Sequence, residues 1–283
     1  VTSRTGEDFS TRWTLVARDA FNGTLLWKRR LNSWNEQGWK SSALRAIPGS
    51  ARRRLVAADD TVFVTLDYRN GAVSALDAAT GKVKRTYGAT KGTREIRIAD
   101  GTLVSRVSAD RGTARLVAVD ISDGSTKWKT NPLRVKRNQC AVRNGRVIVP
   151  IRGNEPAVRC LDLASGKMSW KTPLSVGLQT LVVHGGRVVA LGRGKVSVLS
   201  AEDGKKLWSA RRGGGSAMLQ RKDVFVARGR VWFGDGRHCM VGRDLKTGSA
   251  EVRIRPREIL SLGHHPRCYR SKATGDYIMP PFR

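Results

Sequence analysis

From end to end, short apolar stretches alternate with polar turns, and the alternation has the period of a strand. In Val117-Ala118-Val119-Asp120-Ile121-Ser122-Asp123-Gly124-Ser125-Thr126-Lys127-Trp128 an apolar strand ends in an acid and turns through a glycine. It returns as a second short strand that carries a tryptophan. The same order recurs with Ala17, Asp19, Gly23 and Trp27, then with Ala75, Asp77 and Gly81. It recurs again with Cys160, Asp162, Gly166 and Trp170, with Val198, Ser200, Gly204 and Trp208, and with Gly242, Asp244 and Gly248. The turn glycines are 38 to 58 residues apart. A period of that size with strand content predicts a stacked or radial β array.

Each repeated residue type has a physical task. The aspartate at the strand end accepts hydrogen bonds from the amides of its own turn. The glycine supplies a positive φ that a side chain resists. The tryptophan gives every unit a large flat apolar surface that one sheet cannot hide by itself.

A second set of hairpins completes each unit. Leu55–Ala57 and Val62–Leu66 flank Asp59-Asp60, and Ile96–Ile98 and Leu103-Val104 flank Asp100-Gly101. Asn144-Gly145, Gly185-Gly186 and Arg228-Gly229 repeat the signal farther along. The reading is an all-β, single-domain β-propeller over 1–283, with four-stranded antiparallel blades. Five units are complete. A half unit at the front and a half unit at 260–281, with strands near His265–Arg270 and Tyr277–Met279, are complementary and could close about six blades. Residues 1–10 read as a polar lead-in. Residues 32–52 read as a long inserted loop whose Trp34 and Trp39 fold back onto the body.

Composition changes this picture in one respect. Lys and Arg number 53 against 23 Asp and Glu, a formal charge of +30. No apolar run is long enough to cross a membrane as a helix. Val1-Thr2-Ser3-Arg4 opens without a signal-peptide pattern, and a first residue other than Met points to a processed or truncated chain. Cys140, Cys160, Cys239 and Cys268 are far apart and form no C-x-x-C, so neither a disulfide framework nor a zinc ribbon is indicated.

The pattern Ala-x-Asp-x-x-x-Gly-x-x-x-Trp, as in Ala17 to Trp27 and Ala118 to Trp128, resembles the repeat of the pyrroloquinoline-quinone-like (PQQ-like) propellers. That family includes the quinoprotein alcohol dehydrogenases and the periplasmic lipoprotein of the outer-membrane barrel-assembly machine. The resemblance implies that Trp27, Trp128, Trp170 and Trp208 dock across to the next blade, against its small residue and its glycine. Gly23, Gly81, Gly124, Gly166, Gly204 and Gly248, with Asp19, Asp77, Asp120, Asp162 and Asp244, complete the structural set. Arg85 and Val252 stand where tryptophan is expected, Ser200 where aspartate is, and Cys160 and Val198 where alanine is. The resemblance also implies a periplasmic or secreted protein. Because members usually have eight blades, it points to a segment of a larger bacterial propeller.

The chemistry then divides two ways. Dehydrogenases of the family hold a quinone under two adjacent cysteines, beside a calcium ion ligated by Glu, Asn and Asp. No two cysteines are adjacent here, and the identifiable acids fall in turns. No cofactor is expected, with PQQ and calcium as the alternative. His264 and Cys268 are the weak metal candidates, because they can share a strand face, but two ligands do not close a zinc site. The function expected is a non-enzymatic binding or scaffold module for a protein or an anionic polymer, engaged through rim loops. The basic runs Lys28-Arg29-Arg30, Arg52-Arg53-Arg54, Arg134 to Arg137 and Arg211-Arg212 suit polyanions, but no aromatic-rich motif supports sequence-specific nucleic-acid binding.

Overall fold

The computed structural model describes residues 13–31, 33–34, 53–135, 140–174, 177–213, 223–235, 239–254 and 272–279. The expected lead-in at 1–10, most of the loop at 32–52, and the strand near His265–Arg270 lie outside the described residues. Regular structure consists of strands and short 3-10 turns.

Five sheets are four-stranded antiparallel meanders in chain order. The first comprises β3 (Leu55–Ala58), β4 (Thr61–Thr65), β5 (Val73–Asp77) and β6 (Val83–Tyr87). The second comprises β7 (Thr93–Ala99), β8 (Thr102–Ser108), β9 (Ala114–Asp120) and β10 (Thr126–Lys129). The third holds β11 (Ala141–Arg143), β12 (Arg146–Ile151), β13 (Ala157–Asp162) and β14 (Met168–Pro173), and the fourth β15 (Leu178–His184), β16 (Arg187–Gly192), β17 (Lys195–Ser200) and β18 (Lys206–Arg211). The fifth holds β19 (Phe225–Ala227), β20 (Arg230–Gly234), β21 (Met240–Asp244) and β22 (Ala250–Ile254). Two-stranded sheets, β1 (Trp13–Arg18) with β2 (Leu25–Leu31) and β23 (Lys272–Ala273) with β24 (Ile278–Met279), stand at either end of the sequence. These are the blades of a β-propeller fold.

The chain divides into two compact units. The first holds residues 1–134 with 144–146 and 162–166, the two turns at one end of the third sheet. The second holds 135–143, 147–161 and 167–283. In the first unit, Trp13, Leu15, Leu31 and Trp34 pack on Val64 and Leu76. A second cluster joins Phe63, Val73, Ala75 and Tyr87 to Ile96, Leu103, Val117 and Val119. In the second unit, Ile148, Val158 and Cys160 pack on Val188, Ala190 and Leu199. Val189, Val196 and Val198 pack on Val231, Phe233 and Val241. Within each unit the core therefore lies between the faces of successive sheets. A sheet covered on both faces buries both sets of alternating side chains, which is why Val188, Val189, Ala190 and Leu191 on β16 are all buried.

A meander places the turns between strands one and two, and between three and four, at one end of the sheet. Its other connections lie at the opposite end. We call these the turn end and the loop end. At the turn end, Asp100-Gly101, Asn144-Gly145, Gly185-Gly186 and Arg228-Gly229 each hold two consecutive positive φ angles. That is the two-residue turn whose twist matches antiparallel strands.

Every hairpin between strands three and four, and the β1–β2 hairpin likewise, carries a bulge. The register slips by one residue just before the tryptophan position, leaving Leu26, Lys84, Lys127, Ser169, Leu207 and Glu251 as the extra residues. A bulge adds local twist and re-aims the following side chain. Here it follows the acidic turn and precedes the residue that reaches the next sheet. Three of the extra side chains reach back across their own sheet. Lys84 Nζ is 2.9 Å from Asp60 Oδ2, Lys127 Nζ donates to Thr102 Oγ1 at 3.0 Å, and Glu251 Oε2 is 2.5 Å from Arg230 Nε.

Candidate functional site

At the turn end the repeated residues form one device, built six times. The glycine amide donates to the backbone oxygen four residues earlier, at 2.8–3.1 Å, in each turn from Asp19 to Asp244. The carboxylate closes the same turn from its side chain. Asp19 Oδ1 accepts from the amides of Phe21 and Asn22, and Asp244 Oδ1 from those of Lys246 and Thr247. Ser200, in the aspartate position, makes longer bonds of 3.2 and 3.4 Å to the amides of Glu202 and Asp203.

These contacts hold the carboxyls below their ordinary range. The leading cause is the Asn22 amide for Asp19, the Thr80 hydroxyl for Asp77, the Ser122 hydroxyl for Asp120, the Ser165 hydroxyl for Asp162 and the Thr247 amide for Asp244. A carboxyl whose folded pKa is depressed stabilises the fold above its unfolded value, and loses that contribution as pH falls through the folded one. Melting curves from about pH 6 to about pH 2 should therefore show stability falling once pH drops below about 4. Asp120→Asn should make that fall shallower than in the unchanged chain.

Indoles connect one turn end to the next. Trp27 lies on Gly81 and donates from Nε1 to the Ala78 carbonyl at 2.8 Å. Trp128 lies on Gly166 and donates to Leu163 at 2.8 Å. In the second unit, Trp170 lies on Gly204 and bonds Ala201 at 3.2 Å, and Trp208 lies on Gly248 and bonds Leu245 at 3.1 Å. The acceptor is always the residue that follows the aspartate position. Trp128 and Trp170 are each 8 % exposed, and Trp27 and Trp208 are half-buried. Gly23 has nothing within 4 Å of where a Cβ would stand.

The first four-stranded sheet departs from this chemistry. Arg85, in the tryptophan position, lays its guanidinium against Gly124 and donates to the Asp123 carbonyl. Tyr87, two residues on, donates from its hydroxyl to the Ile121 carbonyl at 2.9 Å. Ile121 follows Asp120, so a phenol makes the link that an indole makes elsewhere. In the sequence pattern Arg85 stands as a gap. The signal that finds Tyr87 is its place on the same strand, two positions on and so facing the same way.

Two further features in the first unit carry chemistry. At the turn end a cleft of about 600 Å3 is lined by Asp59, Asp60, Asp100 and Asp120, with Phe63, Ile98 and Ile121 as its apolar wall. Asp60 and Asp120 are already bonded to Lys84 and Lys127. At the loop end, Glu95 is 1 % exposed and lies between Arg97 (2.6 Å) and Arg106 (3.5 Å). Arg54, equally buried, stacks its guanidinium 4.3 Å from the centre of the Tyr68 ring.

Among the described residues, none assembles the adjacent cysteines and convergent oxygen ligands of a quinone-and-calcium centre. Cys140, Cys160 and Cys239 are buried separately, with Cys160 inside an apolar cluster. The repeat carboxylates serve their own turns. Among the described residues, no three of His, Cys, Asp and Glu are placed to hold a metal ion. His184 is exposed at the end of β15. His264, Cys268 and His238 lie outside the described residues. No helix among the described residues is long and apolar enough to cross a membrane.

The family model of the outer membrane protein assembly factor BamB matches the chain over residues 12–138 and 115–256. Among solved structures, BamB from Moraxella catarrhalis is similar over 85% of this chain and 67% of its own, with a TM-score of 0.57 at 17% identity. The quinohemoprotein alcohol dehydrogenase from Comamonas testosteroni gives a TM-score of 0.57 at 11% identity, over 87% of this chain and 58% of its own length. Hsv2 of Kluyveromyces lactis gives 0.54 at 9% identity, over 83% and 69%. At such identities the likeness speaks for the fold alone. No protein of curated function matches the sequence.

Proposed function

Because the chain belongs to the PQQ-like repeat family of the outer membrane protein assembly factor BamB, we propose that it is a non-catalytic binding module that holds a protein partner on its loops. The observation that supports this reading is how the acids are used. Asp19, Asp77, Asp120, Asp162 and Asp244 are engaged by the amides and hydroxyls of their own turns, and Glu95 by Arg97 and Arg106. A hard cation beside a quinone needs several convergent oxygen ligands, and a base needs a carboxylate at liberty to take a proton. In this reading the repeat is spent on structure, no cofactor is used, and recognition falls to side chains on the connections between strands. The compartment that goes with it is periplasmic or secreted.

Photo-crosslinking tests the proposal. A crosslinking residue is placed singly at Arg69, Lys91 and Arg134 at the loop end, and at Asn22 at the turn end. One protein adduct confined to one of these ends, and reproduced by the two purified proteins at equal concentration, is the expected result. Dye-linked alcohol oxidation by the purified chain supplied with PQQ and calcium would overturn it. So would retention on heparin at moderate salt with no protein adduct, which would make the partner an anionic polymer.

A further inference from the structure

Two cations of the first unit meet on one oxygen. Arg54, just before β3, and Arg94, on β7, both donate from Nη1 to the backbone carbonyl of Tyr68, the latter at 3.1 Å. Two hydrogen bonds to a shared acceptor bring the guanidiniums within about 6 Å of one another. Arg54 is 1 % exposed, and among the described residues its Nε has no hydrogen-bond partner. Its faces are covered by Tyr68 and by Trp34, whose ring centre is 5.8 Å away.

No carboxylate among the described residues bonds either guanidinium of this pair. Among the described residues, neither Arg54 nor Arg94 forms an ion pair. The carboxylate buried in this region, Glu95, already serves Arg97 and Arg106. Asp67, in the same loop as Tyr68, accepts at Oδ1 from the amides of Arg69 and Asn70 at 2.7 and 2.9 Å, and its charge supports the Arg54 cation less than burial, Arg94 and Arg106 oppose it. Burial, followed by the nearby charge of Arg94, pulls Arg54 down to about 10. A buried cation is tolerated when a counter-charge accompanies it, and a second cation on the same acceptor makes that requirement stronger.

We propose that Arg54 and Arg94 form a site for a small tetrahedral oxyanion, a phosphate or sulfate group, at the loop end of the first unit. The remaining N–H groups of two guanidiniums match the several acceptor oxygens of such an ion, which a single halide does not offer. The size limit follows from burial. Arg54 is out of reach of a macromolecular surface, while Arg94 is half-buried and gives the approach, with exposed Arg69 and Lys91 on the neighbouring loops to draw the anion in. This site is independent of the protein-binding reading above and stands or falls separately.

Thermal melts and calorimetric titration of the whole chain test it, comparing inorganic phosphate and sulfate with chloride at matched ionic strength. Phosphate or sulfate at about 10 mM should raise Tm above the chloride value. The emission of the tryptophans should shift with saturation, since Trp34 packs against Arg54. Arg94→Gln should weaken phosphate at least about tenfold. Arg115→Gln, which removes an exposed cation of β9, should leave affinity unchanged. Glycerol phosphate as a further titrant separates the sources. Binding of both would mean that the site admits an esterified phosphate, and binding of inorganic phosphate alone that it is closed around a free ion. Equal Tm in phosphate and chloride would overturn the proposal, as would a phosphate effect that Arg94→Gln leaves undiminished.

Discussion

Replacing Trp128 by alanine is expected to cost about 3–5 kcal/mol of stability, the range for a large aromatic removed from a packed interior. The indole is 8 % exposed, its ring covers Gly166, and its Nε1 donates to the Leu163 carbonyl. Alanine would leave a cavity against that glycine and one backbone acceptor without its partner, which adds to the loss. The same change at Trp27 or Trp208 should cost less, because both rings are half-buried. Urea melts of the variants beside the unchanged chain decide the matter. A loss at Trp128 under about 1 kcal/mol would mean that the indole is not what joins these two turns.

The partner of that ring yields the second large effect. At Gly166 a Cβ would stand 2.5 Å from Trp128 Cδ2, and φ is +70°. Alanine there meets two penalties, about 1–2 kcal/mol for the left-handed backbone and about 1–3 kcal/mol for overpacking. Gly145 lies on the same sheet with φ of +68° and nothing within 4 Å. Gly145→Ala should therefore show the backbone penalty alone, so the difference between the two variants isolates the clash with the ring. The double variant Trp128→Ala, Gly166→Ala should be less destabilised than the two single losses added together, because removing the ring vacates the space that the new methyl needs.

The repeat was legible because its residue types answer to local rules. An acid at a strand end, a glycine at positive φ and paired turn residues at hairpins all act within a few positions, so blades and their count could be read from spacing. The bulge before each tryptophan was not legible. It changes no spacing in the sequence and exists only as a slip between paired strands. Tyr87 is hidden for a related reason: the repeat marks one column for an indole, and the molecule uses a phenol two positions on. The Arg54–Arg94 pair is farther from view still. The two residues are 40 positions apart, one just before β3 and one on β7, and meet on a carbonyl, a group that every residue possesses. The basic run at Arg52-Arg53-Arg54 gave no sign that its last member is buried while its charge remains.

The hydrogen bonds that join one turn end to another all point the same way, from an earlier strand to a later turn: Trp27 to Ala78, Tyr87 to Ile121, Trp128 to Leu163, Trp170 to Ala201 and Trp208 to Leu245. The β1–β2 hairpin and the first four four-stranded sheets thus each carry one plug on their last strand, and each of the five four-stranded sheets carries one filled socket at its acidic corner. A gene encoding such modules can gain a copy by duplication without inventing an interface, since the inserted copy brings both halves of the joint. The same polarity makes damage directional: a lost plug loosens the successor first, and hydrogen exchange should rise in the sheet downstream of the lesion before the sheet upstream.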